Sequence, residues 1–331
     1  MAVWAKQPLP IALIVDDSCP CINPLWYFRR QVGGIAEPPY PRTIPVDFCQ
    51  RFAEWAAESG VKGDFTVLPC PAGLGPLTEG LRGFPPAEVE RWLSIVREWI
   101  MPRFDLHPEI LTHTLALDLE TKQLLPEAEH EWMSRQSQEG LTEYIAEAMR
   151  ILREVGLPSN GITQPCSFSG DECAYARAIG AAERKVNGRN ISHYFLHVAA
   201  QGSPPVPAVT WMDRGKGAAV VSIVSGTPDA FWRSMDEECA AEELADVLLT
   251  ADGRGGRLRE LFEAGVPLVF HTHWQSLYSN GSEVGLRGLQ ETVRRIARHW
   301  GSQVRWARIS EIAGEVATQA LQTEPGEIQR P

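Results

Sequence analysis

Short apolar runs alternate with amphipathic stretches along most of this chain, and this alternation strongly constrains its fold. The runs IALIV, DFTVL, AAVVSIV and VPLVF are typical of buried strands, whereas VDFCQRFAEWAAES and LTEYIAEAMRILREV carry apolar residues at helical spacing. Strands that alternate with helices pair in parallel, with helices packed outside the sheet. No linker rich in Ser, Gly or charge interrupts the pattern. The sequence therefore predicts an α/β fold, a single distorted parallel (β/α) barrel of seven or eight strands.

The barrel is expected to span residues 1–316, followed by a polar C-terminal tail at 317–331. The first residues contain one Lys and a short apolar run, which indicates neither a signal peptide nor a membrane span. We therefore expect a soluble, cytoplasmic protein. The net charge of -11 is spread without long runs, so no basic face for nucleic acid or a membrane is predicted. The expected ligand is a neutral or cationic small molecule or a glycan.

Cysteine usage agrees with an intracellular chain. The seven cysteines are odd in number and lack paired CxxC spacing, which favours reduced thiols over a disulfide framework. Cys19 and Cys21, in the sequence CPC, form the one suggestive pair. Because free cysteines tend to be buried, we interpret them as small buried thiols in the loop after the first strand.

Two adjacent carboxylates, Asp16 and Asp17, end the first apolar run. Neighbouring side chains on a strand normally point to opposite faces, but the Pro20 that follows makes a break in the strand plausible. One carboxylate can then act as a base while the other binds a metal. The alternative is a capping residue next to a solvated one. Since a buried pair of like charges is costly, a functional role is favoured.

Two further strand ends carry polar groups. In HPEILTHTLALD, His113 ends an apolar strand and is a candidate ligand, with an ordinary core histidine as the alternative, whereas His107 is expected at the strand entrance. In GITQPCSFSGDE, Gln164 and Pro165 end a strand before a capped helix. A role in substrate binding and a plain turn are both open for this second pair.

The late stretch LVFHTHW places His271 and His273 two residues apart on a strand, so both side chains point to the same side. Two imidazoles on one face after an apolar run are hard to explain as packing. We therefore expect a catalytic or metal-binding role for this pair.

Taken in chain order, these parts resemble the polysaccharide deacetylase superfamily, the barrel shared by chitin and peptidoglycan deacetylases, over most of the chain. The resemblance implies that Asp16 is the general base and Asp17 a metal ligand. It also makes His113 a ligand, from an H-[ST]-x-x-H motif, and either His271 or His273 the general acid. It further implies a divalent metal, with zinc expected, and hydrolysis of an N-acylated sugar or a related amide. A metal-free relative is the alternative.

The chain departs from the family motifs in two places. Leu117 stands where the second histidine of the metal motif is expected, so Asp118 or His273 is the candidate third ligand, with His273 preferred. Gln164-Pro165 stands where the family has Arg-x-Pro. This chain is therefore identified as a divergent member of the superfamily.

Two rival functions remain open. The HxH pair is also the metal pair of amidohydrolase barrels, although there it ends the first strand. A catalytically silent carbohydrate-binding protein on the same barrel is the other rival. Aromatic side chains just beyond the candidate strand ends can stack on sugar rings or serve in ordinary loop packing. These side chains are Trp26, Tyr27, Trp274 and Tyr278.

Overall fold

A computed structural model describes residues 4, 8–34, 39–196 and 205–323. The strands are β1 (Leu9–Asp16), β2 (Gly63–Val67), β3 (Phe104–Pro108), β4 (Leu115–Leu117), β5 (Leu124–Ala128), β6 (Gly161–Thr163), β7 (Ile191–Leu196), β8 (Ala208–Asp213), β9 (Ala218–Val224), β10 (Leu268–His273) and β11 (Val304–Trp306). The α-helices are α1 (Pro24–Gln31), α2 (Val46–Ser59), α3 (Pro86–Ile95), α4 (Glu129–Ser134), α5 (Gln138–Glu154), α6 (Glu172–Asn187), α7 (Ala241–Leu248), α8 (Arg257–Ala264), α9 (Trp274–Tyr278), α10 (Val284–Trp300) and α11 (Ile309–Gln322). Strands and helices alternate along most of the chain, as the periodicity predicted.

The strands form two main sheets and a hairpin. The first sheet has the order β10-β1-β2-β3, with β11 paired to the start of β1, and all of its pairs are parallel. The second sheet has the order β6-β7-β9-β8, in which only β8 runs antiparallel. Strands β4 and β5 form a short antiparallel hairpin. The predicted α/β fold with a parallel sheet is confirmed.

Because β1 and β10 are parallel neighbours, their C-terminal ends lie side by side. Ile14 pairs with His271 and Asp16 with His273, so the carboxylates and imidazoles singled out in the sequence meet at one edge of the sheet. The apolar residues before Asp16 are fully buried, which holds this edge on a rigid strand.

The two sheets meet along two seams. At one seam a parallel bridge joins Glu109, after β3, to Thr163 of β6. At the other, the backbone N–H of Gly226, after β9, donates to the carbonyl of Val269 in β10 at 2.7 Å. Among the described residues the strands form two main sheets joined by these local links, and closure into the single distorted barrel that the sequence predicted is not shown.

Buried residues of helix α11 share a core cluster with residues of both main sheets. Its buried residues Ile312, Ala313 and Ala317 belong to a core cluster that also includes Ala12 and Ile14 of β1. The predicted boundary between residues 316 and 317 therefore falls inside this helix, and residues 324–331 lie outside the described part. The division into barrel and tail stays a prediction.

Two further expectations can be compared with the fold. Cys19 and Cys21 are buried free thiols, as predicted for the CPC segment. Within the described ranges, no helix is long and apolar enough to cross a membrane. The cytoplasmic location stays a prediction.

Candidate active site

A cavity of about 260 Å³ opens where the carboxyl ends of β1, β3, β6 and β10 converge. Its lining combines acidic, imidazole and aromatic side chains, which are rarely gathered in one place without a functional reason. The lining residues are Asp17, Leu25, Phe28, Glu109, Ile110, His113, Thr114, Glu129, His130, Pro165, Cys166, Ser167, Trp232, His273 and Gln275.

The backbone separates the roles of Asp16 and Asp17. Asp16 is the last residue of β1, and its Oδ1 accepts a hydrogen bond from the hydroxyl of Thr163 at 3.2 Å. Asp17 has a φ of 62°, a left-handed conformation that Asp tolerates better than most residues. The chain therefore turns sharply after the strand, and the Asp17 carboxylate enters the cavity.

Asp17, Glu109 and His113 form a cluster with the donor atoms of a metal site. The Nε2 atom of His113 lies 2.6 Å from Oδ1 of Asp17 and 3.3 Å from Oε1 of Glu109. Glu109 also accepts the backbone N–H of Asp17 at 2.6 Å and the hydroxyl of Thr66 at 3.0 Å. One ligand atom from each member lies within 4.8 Å of the others. The two metal ligands predicted from the resemblance, Asp17 and His113, are thus brought together with a carboxylate that was not predicted.

The three charges of this cluster depend on one another. Burial raises the pKa of Asp17, but the charge and hydrogen bond of His113 outweigh it and hold that pKa well below its usual range. Burial, Asp17 and Asp16 together raise the pKa of Glu109 to about 7. Desolvation lowers the pKa of His113, but Asp17 and Glu109 raise it well above the usual value. The site therefore attracts positive charge, which either a proton on His113 or a metal ion can supply.

Glu129 organises the loop that carries His113. Its carboxylate accepts the backbone N–H groups of Leu111, Thr112 and His113 at 2.7 to 3.3 Å and the hydroxyl of Tyr144 at 2.6 Å. His113 itself has a φ of 63°, which is unfavourable for its side chain. The buried carboxylate holds the loop in this conformation and so positions the imidazole.

His273 faces the cavity and is oriented by Asp229. Its Nδ1 atom lies 2.8 Å from Oδ2 of Asp229, which also accepts the His273 backbone N–H and the Ser276 hydroxyl. Burial raises the pKa of Asp229, but the hydrogen bond and charge of His273 prevail and lower it. A carboxylate on Nδ1 fixes the ring orientation and stabilises the protonated imidazole. This arrangement suits a histidine that donates and accepts protons.

The two late histidines differ in their surroundings. His271 is 4% exposed, and its Nδ1 lies 2.7 Å from the Ser225 hydroxyl, whereas only His273 lines the cavity. Gln275, two residues beyond His273, donates from Nε2 to Oδ2 of Asp17 at 2.5 Å. The segment after β10, the strand paired with β1, therefore contacts the Asp17 carboxylate of the candidate metal cluster.

Other predicted site residues lie elsewhere. Asp118 is in the turn between β4 and β5, where its Oδ1 accepts the backbone N–H groups of Glu120 and Thr121. The structure therefore does not bring it to the Asp17 cluster. Gln164 is buried beside the cavity and donates to Glu172, while Pro165 lines the cavity.

The predicted aromatic platform is not assembled as expected. Trp274 is 1% exposed, with its ring packed in the core against Phe48, Phe52 and Phe65, so no face remains for a sugar. Tyr278 packs on Phe48, and Trp26 packs edge-on against Tyr27. The aromatic rings that line the cavity are those of Phe28 and Trp232, which the sequence did not single out.

Two central residues of the site, Glu109 and Asp229, were not identified from the sequence. Glu109 lies four residues before His113, and this i,i+4 spacing is the same as that between the two histidines of the family motif. With Glu109 at the first position of that spacing, His113 falls at the second, whereas the resemblance in the sequence put His113 at the first. Asp229 lies 44 residues from His273, and no local pattern marks it.

The comparisons with known proteins concern the fold. No protein-family model and no curated protein sequence matches this chain. A candidate polysaccharide deacetylase from Mycobacterium smegmatis superposes with a TM-score of 0.50 and 13% identity, covering 86% of this chain and 80% of its own. A peptidoglycan N-acetylglucosamine deacetylase gives 0.45 and 11%, over 93% and 88%. A CE4-family pseudoenzyme from Bacillus anthracis gives 0.41 and 10%, over 94% and 66%.

The predicted likeness to polysaccharide deacetylases is confirmed for the fold, in a strongly diverged form. At 13% identity to the Mycobacterium smegmatis protein, the likeness extends to the fold alone. A shared fold does not imply a shared activity, which depends on the side chains at the site.

Proposed function

We propose that this protein is a metal-dependent hydrolase that cleaves the acyl C–N bond of an N-acylated sugar. The observation that carries the proposal is the gathering of two catalytic parts around one cavity, the cluster of Asp17, Glu109 and His113 and the pair of Asp229 and His273. In this proposal the two main sheets are the halves of one distorted barrel, and the cavity is its mouth.

The donor set of the cluster fits a divalent cation. Two carboxylates and one imidazole are ligands that zinc and related ions accept, and three protein ligands leave a position for a reactant. When bound, the ion supplies positive charge that offsets the two carboxylates and polarises a substrate oxygen. Glu109 is then the third metal ligand, the role that the sequence analysis expected for His273 or Asp118.

The protein groups supply the proton transfers. Asp16, at the end of β1, takes a proton from the attacking water as that water adds to the amide carbonyl carbon. His273 gives a proton to the nitrogen as the C–N bond breaks, which releases an amine and a carboxylate. Because Asp229 engages Nδ1 of His273, the donated proton comes from Nε2. His271 lies behind the cavity against Ser225 and supports this wall.

The cavity also contains surfaces suited to a sugar. The Trp232 ring lies 5.0 Å from that of His273, and the Phe28 ring lies 5.9 Å from that of His113. Aromatic rings bind the apolar faces of sugars, so these two side chains flank the reacting groups on either side. Pro165 limits the cavity just beyond the end of β6.

The test is hydrolysis of N-acetylglucosamine oligomers, measured as released acetate. The protein is stripped with a chelator and then reloaded with Zn²⁺, Mn²⁺ or Co²⁺. We expect acetate release that depends on the metal and is lost in His113→Gln. Metal binding with no hydrolysis, combined with saturable sugar binding, would instead favour the carbohydrate-binding alternative. Absence of metal binding would overturn the proposal.

A further inference from the structure

A second group of titratable side chains lies beneath the cavity. Oδ2 of Asp64 in β2 is 2.7 Å from Nδ1 of His107 in β3 and 3.1 Å from Nε2 of His193 in β7. None of the three side chains is more than 1% exposed. Three charged or polar residues buried together need a reason beyond packing, because each loses its hydration.

This buried group is connected to Asp16 through one hydroxyl. Nε2 of His107 lies 2.9 Å from Oγ1 of Thr163 in β6, and the same Oγ1 lies 3.2 Å from Oδ1 of Asp16. Asp64, His107, Thr163 and Asp16 are contributed by four different strands. The chain of contacts therefore crosses the interior and ends on the carboxylate proposed as the base.

The direction of each hydrogen bond follows from the groups involved. An ionised Asp16 carboxylate can only accept, so the Thr163 hydroxyl donates to it. The hydroxyl oxygen then accepts from Nε2–H of His107. Nδ1 of His107 faces the Asp64 carboxylate, which likewise accepts. The contacts therefore run from Nε2 of His107 to the Thr163 hydroxyl and from that hydroxyl to Asp16, while Nδ1 of His107 pairs with Asp64.

We propose that Thr163 and His107 are positioning residues that hold the Asp16 carboxylate in the orientation of a base, with Asp64 and His193 fixing the His107 ring. This inference rests on the proposed function, since it assigns a role within the same site. Its physical basis is that a carboxylate held by a donor on one oxygen presents the other oxygen in a fixed direction.

The same three residues, Asp64, His107 and His193, also have the donor types of a metal site. Both ring nitrogens of His107 lie within hydrogen-bond distance of an acceptor, at 2.7 Å and 2.9 Å, which favours the hydrogen-bonded assignment. If these three residues bound a metal, the protein would hold a second metal ion, whereas a hydrogen-bonded group would not. Metal content is therefore measured in the test.

The first experiment compares Thr163→Val, which removes the hydroxyl at nearly constant volume, with Thr163→Ser, which keeps it. We expect Thr163→Val to lower kcat by roughly 10-fold or more with little change in KM, and Thr163→Ser to recover most of the loss. Thr292→Val is the matched control, because Thr292 is a buried threonine of α10 that donates to Gly288 within its own helix. Equal kcat for Thr163→Val and the parent would overturn the proposal.

The second experiment does not depend on turnover. Crystal structures of the parent and Thr163→Val are compared for the orientation of the Asp16 carboxylate, and metal content is measured for the parent and His193→Gln. We expect a rotated Asp16 in Thr163→Val and the same metal content in both proteins. An unmoved carboxylate, or a second metal equivalent lost in His193→Gln, would overturn the inference. An inactive parent with the expected rotation would instead count against the proposed function alone.

Discussion

The carboxylate of Asp229 lies 2.8 Å from Nδ1 of His273, although 44 residues separate the two in the chain. Asp229 follows β9 in the second sheet, and His273 ends β10 in the first, so the pair spans one seam between the sheets. The seam therefore supplies an imidazole that is held in one orientation at the cavity.

Replacing Asp229 by asparagine is expected to lower kcat for amide hydrolysis by about 10²- to 10⁴-fold. The amide preserves the shape of the side chain but not the negative charge that stabilises a protonated His273. Steady-state kinetics on an N-acetylglucosamine oligomer measures the effect. Asp252→Asn serves as the control, because Asp252 caps an exposed loop at Thr250 and Arg254. Similar kcat values for both variants would remove Asp229 from the mechanism.

Zn²⁺ affinities of single variants can show which carboxylates bind the metal. Glu109→Gln is expected to weaken Zn²⁺ binding by roughly 10-fold or more, because it removes a charged ligand from the cluster with Asp17 and His113. Asp118→Asn is expected to bind Zn²⁺ like the parent, since Asp118 lies in the turn between β4 and β5. Titration calorimetry with Zn²⁺ gives both affinities.

The same titration tests the ligand preferred in the sequence analysis. His273→Ala is expected to retain the metal, because Nδ1 of His273 is engaged by Asp229 and Glu109 completes the cluster. Loss of Zn²⁺ from His273→Ala, with normal binding by Glu109→Gln, would restore His273 as the third ligand.

Asp16→Asn is expected to fold normally and to lower turnover by about 10²- to 10⁴-fold, the usual contribution of a positioned base. The amide fills the same space at the end of β1 but cannot take a proton from water. Circular dichroism and Zn²⁺ content establish that the variant is intact, and acetate release measures the loss. Unchanged hydrolysis in an active parent background would show that another group takes the proton.

The buried Glu183 of α6 predicts a pH dependence of stability. Burial raises its pKa from the ordinary 4.5 to about 7, although hydrogen bonds from Asn187 and Ser159 oppose the shift. The folded-state pKa lies above the unfolded value, so the unfolded chain releases this proton first as the pH rises. Glu183 therefore lowers the free energy of unfolding progressively as the pH rises from about 4.5 to about 7. Above pH 7 the total reduction is at most about 3 kcal/mol.

Glu183→Gln is expected to be more stable than the parent at pH 8 and close to it at pH 4.5, as measured by urea denaturation across this range. Glu54→Gln, at an exposed position of α2, is the control and is expected to keep the parent's pH dependence. Parallel curves for Glu183→Gln and the parent would contradict the raised pKa.

The sequence alone determined the α/β character of the fold and the strand ends that carry the candidate site residues. Apolar runs that alternate with amphipathic stretches specify buried strands and covering helices through local periodicity alone. The C-terminal ends of parallel strands meet at one edge, so Asp17, His113 and His273 could be expected together from their positions after apolar runs. Glu109 was also within reach of sequence reasoning, since its spacing to His113 is local.

Only the tertiary structure decided which groups complete the site. Asp229 reaches His273, and Thr163 links His107 to Asp16, through contacts between strands far apart in the chain, which no local pattern encodes. The same holds for Trp274, whose ring direction depends on the helix packed against it. Its position after β10 suggested a surface for binding sugar rings. In the structure the ring is instead buried in the core against Phe52 and Phe65. Periodicity specifies which face of an element is buried, whereas the partner that meets a given side chain is set by how the elements pack against one another.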